Sequence, residues 1–328
     1  MRRHVYLASV LALSSSVLGC PTAAPTDAFV PSTTDAFVPP GTDGGPIVGD
    51  AGPVALLAVT GSAAAPVPAM AACLGTQTMP AGGAAVAGML TVTALGLSPT
   101  PVASTAIQVF TGTSVAATCV APGCQTVTTN SMGSAAISLP SGGWFAYRIP
   151  TNSASVPGLG FFYTWGTAAG STTTVTAISP AAAGIVAGQL NRELNATTSA
   201  VSGSIQDCSR ATIANLQIRM FRGDTEIVSG AAADTTSPRI SGVGDSAIPM
   251  TTRTGLTAYA GRFAGVIPSA GGDVRIEAWG TLAAGGAQEL LACEVVSVEP
   301  SSVTVAVLGP YRSDYGAAHG CTGRRAAP

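Results

Sequence analysis

Short runs of alternating apolar and polar positions recur from about residue 84 to residue 311. Ile107-Gln108-Val109-Phe110 alternates at period two, and so does Leu216-Gln217-Ile218-Arg219-Met220-Phe221. Val274-Arg275-Ile276-Glu277-Ala278-Trp279 follows a Gly-Gly-Asp turn cluster. A period of two sends successive side chains to opposite faces of a sheet, so each run predicts a strand with one buried face. Turn signals rich in Gly and Pro separate such runs about every 8 to 15 residues. The pattern predicts an all-β chain of two tandem Greek-key-type β-sandwich domains, each with about seven short strands.

The pattern also repeats. Ala85-Val-Ala-Gly88 is answered by Ala200-Val-Ser-Gly203, and "AIQVF" ending at Phe110 by "QIRMF" ending at Phe221. "WFAYRIP" from Trp144 is answered by "RFAGVIP" from Arg262, "TWGTAAG" from Thr164 by "AWGTLAAG" from Ala278, and "VTAISPAAAGIVAG" from Val175 by "VVSVEPSSVTVAVLG" from Val295, each segment reading as strand. The pairs come in the same order, each about 110 to 120 residues apart. Domains are expected at 54–190, with Ala51 to Gly83 adding an extra N-terminal strand, and at 199–311, followed by a tail at 312–328. Phe110, Phe145 and Trp165, with Phe221, Phe263 and Trp279 in the second copy, are the expected core anchors. Trp165 and Trp279 would also suit sugar stacking, but their shared place in both copies favours packing.

Composition agrees with strands and turns. Charged residues make up 9% of the 328 residues, against about 25% in ordinary domains. All 14 basic residues are arginine, and net charge is −2. From Ala51 to Asn191 the sole charged side chain is Arg148. No basic patch with interleaved aromatics occurs, which argues against nucleic acid as a partner. So sparse a charge also removes a common guard against edge-to-edge strand association.

The first 19 residues have the parts of a secretion signal. Arg2 and Arg3 precede the mostly apolar Val5 to Leu13, which is too short to span a bilayer as a helix. Val17-Leu18-Gly19-Cys20 resembles the lipobox of bacterial lipoproteins. That resemblance implies cleavage before Cys20 and a lipid on its thiol, hence a membrane partner and a place in the bacterial cell envelope. Pro21, rather than an acidic residue, follows the cysteine, which points to the outer membrane. The alternative is an ordinary signal cut near Ala23 or Ala24. Residues 20–53 read as a disordered tether. Thr26-Asp-Ala-Phe-Val-Pro31 recurs at Thr34 to Pro39, in a tract rich in Pro, Thr and Gly.

Setting Cys20 aside leaves Cys73, Cys119, Cys124, Cys208, Cys293 and Cys321. An even number in an exported chain implies disulfides. Cys119 and Cys124 bracket Val-Ala-Pro-Gly, a turn sequence, and are expected to pair. Cys208–Cys293 would join the first and a late strand of the second domain, leaving Cys73–Cys321.

"VSGSIQDCS", "ATIANLQIRMF" and "GRFAGVIPSAGGDVRIEAWG" in the second copy resemble the carboxypeptidase regulatory-like, or transthyretin-like, domain family. The first copy keeps "VAGMLTVTALG" and "STAIQVF" but has "SGGWF" where that family usually has Asp-Gly before the aromatic strand. The resemblance covers about 220 residues. It implies a seven-stranded sandwich with a binding or structural role.

Little else in the sequence points to chemistry. His319 is the single histidine after the signal, in a Gly- and Arg-rich tail, so a Ser-His-Asp triad has few places to form. No metal-ligand cluster, phosphate loop or paired-carboxylate motif stands out, and neither cofactor nor metal is expected. Arg222-Gly223-Asp224 reads as an adhesion tripeptide or, better, as a hairpin turn. Asn195-Ala-Thr197 is a glycosylation signal only in a eukaryotic secretory chain. The expectation is a non-enzymatic, lipid-anchored envelope protein that binds a protein or glycan. An envelope hydrolase of unrecognised type and a plain structural spacer are the alternatives.

Overall fold

The computed structural model describes residues 59–60, 65–66, 83–94, 100–112, 115–116, 118–141, 145–150, 158–161, 172–207, 211–231, 233–243, 249–254, 261–270, 272–281, 287–309 and 319–321. Two short strands come first, β1 (Val59–Thr60) and β2 (Ala65–Pro66). The first half follows: β3 (Ala85–Ala94), β4 (Thr100–Pro101), β5 (Ala106–Thr111), β6 (Cys124–Thr128), β7 (Ser134–Pro140), β8 (Phe145–Ile149), β9 (Gly158–Phe161) and β10 (Thr172–Ala177). Helix α1 (Pro180–Gln189) leads to the second half. That half holds β11 (Thr198–Ile205), β12 (Ile213–Ala214), β13 (Gln217–Arg222), β14 (Thr225–Glu226), β15 (Arg239–Val243), β16 (Pro249–Thr254), β17 (Arg262–Pro268), β18 (Val274–Thr281), β19 (Gln288–Val296) and β20 (Val303–Leu308).

The chain is all-β, with sheets packed face to face. A nine-stranded sheet of order β16-β15-β17-β11-β20-β9-β8-β5-β6 runs through both halves. The halves join where β9 lies parallel to β20. One smaller sheet belongs to the first half, with β3 between β7 and β10 and β4 beside the end of β3. Another belongs to the second half, in the order β14-β13-β18-β19.

Alternation along the shared sheet builds its cores. Ile107, Val109, Phe145, Tyr147 and Ile149 of β5 and β8 pack with Leu90, Val92, Ile137, Leu139 and Val175 of the first small sheet. Phe110 and Ala146 point the other way and join a larger cluster with Val201, Met220, Phe263, Ile276 and Leu308. Each large side chain so buried contributes about 1.5–3 kcal/mol. Burial pushes the Tyr147 hydroxyl up to about 12. Gly203 of β11 has no room for a side chain, since a Cβ there would meet the Ala306 carbonyl oxygen of β20 and the Phe263 ring.

The strand ladders duplicate more faithfully than the sequence pairs. In both halves a leading strand has one antiparallel and one parallel neighbour: β3 with β7 and β10, β11 with β17 and β20. In both, the next long strand lies between two antiparallel neighbours: β5 between β6 and β8, β13 between β14 and β18. The first two sequence pairs match this scheme. The third is displaced by one strand, because β17 stands where β7 stands and β8 corresponds to β18. The fifth is displaced too, since β10 corresponds to β20 and the pair sets β10 against the end of β19 and α1 against β20. Pro140 and Pro268 end equivalent strands, and loops of unequal length moved the apparent match.

Two further expectations change. Val59–Thr60 pairs with Ile213–Ala214 of the second half, so the N-terminal strand does not extend the first. Both edges of β3 are already taken, whereas β12 has an open one. Residues 180–189, expected as part of a strand, form α1. Ser179 caps it by accepting from the Ala182 amide, and Pro180 opens its first turn. Its buried residues pack on Ala200, Ala264, Val266 and Val303. Among the described residues no helix is long and apolar enough to cross a membrane.

Candidate functional site

The densest chemistry among the described residues lies on the outer face of the β14-β13-β18-β19 sheet. Ile218 and Met220 of β13, with Val274, Ile276 and Ala278 of β18, point into the core. Alternation therefore sends Arg219, Phe221, Arg275, Glu277 and Trp279 outward. Pairing sets Arg219 opposite Glu277 and Phe221 opposite Arg275.

An outward face is normally solvated, yet this one is closed. Glu277 is fully buried, and Arg275 and Trp279 are 6% and 4% exposed. The Glu277 carboxylate accepts from Arg275 Nε at 2.9 Å and from Trp279 Nε1 at 3.0 Å. The Arg275 guanidinium lies 4.8 Å from the Phe221 ring centroid, and that of Arg219 lies 5.1 Å from it. Arg219 is bonded to Glu226, which holds its guanidinium above its usual range.

Residues of the C-terminal tail close the face. Cys321 is buried and disulfide-bonded to Cys293 of β19, in one cluster with Trp279 and Leu290. Gly320, at φ +74°, comes so close to Arg275 that a Cβ would lie 2.9 Å from its Nη1. Trp279 is thus a packed side chain, with no free face for a sugar.

The disulfides correct two expectations. Cys119–Cys124 forms as expected, closing the turn between them. Cys293 pairs with Cys321, not Cys208, so Cys73–Cys321 fails as well. The reason is side-chain direction: Cys293 points to the outer face of its sheet, while β11 lies in the sheet on the other side of the core. Cys73 and Cys208 are outside the described residues. With Cys20 set aside for its expected lipid, these two are left to each other, so peptide mapping of unreduced protein is expected to recover a Cys73–Cys208 linked fragment and no free thiol among the six. Alkylation of either residue without reduction would refute this.

Other candidates resolve as local structure. The RGD tripeptide is a hairpin turn: Arg222 pairs with Thr225, leaving Gly223, at φ +53°, and Asp224 as the loop. Arg222 turns back to donate to the carbonyls of Pro268 and Gly272, while the Asp224 side chain is 91% exposed. Asn195 accepts from the Thr197 amide in an exposed turn. Asp234 accepts from Thr236 and Ser237, which hold its carboxyl well below the usual range. Phe110, Phe145 and Phe263 are buried in the cores between sheets, whereas Phe221 and Trp279, expected there too, are buried on the outer face of their sheet, because strand alternation gives the core side to Met220 and Ala278. Cys20 and Trp165 lie outside the described residues.

The lone charge of the first half serves the junction between halves. Arg148 donates to Gln108, lies over Phe110, and bonds Glu299 at 2.5 Å. Sequence alone did not mark Glu299, 151 residues away. Arg192 is buried, and its guanidinium donates to the carbonyls of Leu190, Asn191, Ala231 and Ser237. It borders an open pocket of about 390 Å³ beside α1, lined also by Pro180, Gly184, Gly188 and Ser301. Among the described residues no group of three or more His, Cys, Asp or Glu side chains could hold a metal ion.

Neither a protein-family model nor a curated protein matches the chain. Among solved structures it has some similarity to the shaft pilin SpaA of Lactobacillus rhamnosus GG. There identity is 11%, coverage 69% of this chain and 98% of that one, and TM-score 0.22. For the minor pilin GBS52 of Streptococcus agalactiae the figures are 12%, 69%, 96% and 0.23. For the Bacillus anthracis TIE protein they are 13%, 69%, 34% and 0.21. Scores this low carry no argument about function.

Proposed function

We infer that the chain is a non-enzymatic, lipid-anchored protein of the bacterial cell envelope with a structural or binding role. Cys20 is its anchor, residues 20–53 its tether, and the two β halves its body. The observation that carries this reading is how the charged side chains are used. Arg148–Glu299, Arg219–Glu226 and Arg275–Glu277 close on one another, and Arg192 closes on backbone carbonyls. Groups so engaged fix a scaffold; a general acid or base must instead be free to meet a substrate proton. The lipobox at Val17 to Cys20 supports the envelope address. The duplicated strand ladder supports two units of carboxypeptidase regulatory-like type.

Fractionation tests the reading. The chain is expected to sediment with outer-membrane vesicles, and cross-linking in intact cells is expected to join it to another envelope component. With no lysine present, the cross-linker must target carboxylates or be photoactivated. A chain found free in the medium, or one whose purified body turns over an envelope polymer, would overturn the proposal.

A further inference from the structure

We propose that a second copy of this chain pairs with the edge of β10 that no described strand takes, the two β10 strands running antiparallel across a two-fold axis.

A sheet edge presents unpaired N–H and C=O groups, and stable proteins guard such edges with charge, proline, short strands, bulges or covering segments. The other described edges are guarded. β16 begins with Pro249 and contains Arg253. β14 is two residues long and ends in Glu226. β19 carries Glu289 and Glu294, and the Cys293–Cys321 bond ties the tail to it. At β6 the Cys119–Cys124 disulfide folds the preceding turn against the strand. Gln125 of β6 also reaches the free side of β7, where its amide donates to the Ser138 carbonyl at 2.7 Å and accepts from the Ser138 amide at 3.4 Å.

Among the described residues β10 has none of these. Thr172-Thr-Thr-Val-Thr-Ala177 contains no charge, proline or cysteine. Its parallel register with β3 is unbroken over all six residues, so no bulge bends it away. Among the described residues no strand pairs with its second edge. Tyr147 makes a hydrogen bond with the Thr176 backbone, which covers one group of the row.

The strand itself identifies the occupant. Antiparallel pairing centred on Thr174 sets Thr174 opposite Thr174 and Thr172 opposite Thr176, cross-strand pairs that stabilise a sheet. Thr172 and Thr174 are exposed, while Val175 and Ala177 face the core, so both copies keep their apolar side inward. Charge points the same way. Arg148 is the sole charge of the first half and is held by Glu299. Two first halves therefore meet without like-charge repulsion, whereas a charged partner would find no counter-charge.

Sedimentation equilibrium of the processed chain in density-matched detergent tests this. A concentration-dependent monomer–dimer equilibrium is expected. Thr174→Lys sets two cations opposite each other and is expected to raise the dimer Kd by about tenfold or more. An equal mixture of Thr174→Lys and Thr174→Glu chains is expected to restore the dimer. A chain that stays monomeric, including one that binds only a foreign strand, overturns the proposal. So does a dimer that Thr174→Lys leaves unchanged, or a mixture that fails to re-form it. Should Thr174→Lys not fold, Thr174→Cys decides: a disulfide-linked dimer supports the pairing, and its absence under oxidation refutes it.

Discussion

Replacing Glu277 by alanine is expected to destabilise the folded chain by about 3–5 kcal/mol. Glu277 is fully buried and holds both Arg275 Nε and Trp279 Nε1. Removing it leaves a guanidinium shut under Gly320 and Cys321 with its main acceptor gone. The nearest other carboxylate is Asp224, 3.9 Å from Arg275 Nη2 and almost wholly solvated. Most of the expected loss is the cost of an uncompensated buried charge, and little of it measures the net value of the pair. Two companion variants separate these quantities. Replacing Arg275 and Glu277 together by methionine and leucine is expected to cost less, about 1–3 kcal/mol, since apolar groups of similar volume often replace a buried pair without loss and what remains is the Trp279 indole N–H deprived of its acceptor. Glu226→Ala, at the half-exposed Arg219–Glu226 pair, is expected to cost no more than about 1 kcal/mol. Urea denaturation midpoints give all three. Equal losses for Glu277→Ala and Glu226→Ala would contradict burial of the network.

Replacing Cys20 by serine is expected to abolish lipid attachment and move the chain out of the detergent phase. A thioether-linked lipid needs the thiol, and serine at this position offers none. Each buried methylene contributes about 0.8 kcal/mol, and one acyl chain alone binds reversibly, so two or more are needed for durable attachment. Mass spectrometry of the wild-type chain is expected to show acyl mass on a peptide beginning at Cys20. The serine variant is expected to lack it and to partition into the aqueous phase once solubilised. A wild-type chain that begins near Ala23 or Ala24 would establish an ordinary signal peptide and end the lipoprotein reading.

The two predictions stand on different ground. Cys20 rests on a short linear pattern, which is where a processing signal resides. Glu277 rests on a surface that the linear pattern reads incorrectly. Alternation along "VRIEAWG" puts the charged Arg275 and Glu277 on the same face as Trp279, an expected core anchor. Only the tail folding back makes that face dry. Its cue in the sequence is Cys321, but a cysteine does not specify which partner it takes. Similarly, Ser179-Pro180 is the start signal of α1, yet the helix is apolar on every side and built of small residues, so its period was invisible.

By itself the sequence determined the all-β class, most of the strands and the first two pairs of the repeat. Those depend on period-two alternation and on turn residues, both local. It also determined the Cys119–Cys124 loop, because five residues of separation leave little choice, and the RGD turn, because Gly-Asp suits a two-residue hairpin. The tertiary structure decided the rest. It set which repeat strand answers which, since only ladder neighbours distinguish β7 from β8 as the counterpart of β17. It paired Cys293 with Cys321 because side-chain direction across a sheet outweighs nearness to the first strand. It joined the two halves through β9 and β20 and gave Arg148 its partner Glu299. Contacts between segments more than a hundred residues apart depend on how sheets stack, and sparse charge with many small residues leaves no linear mark of that stacking.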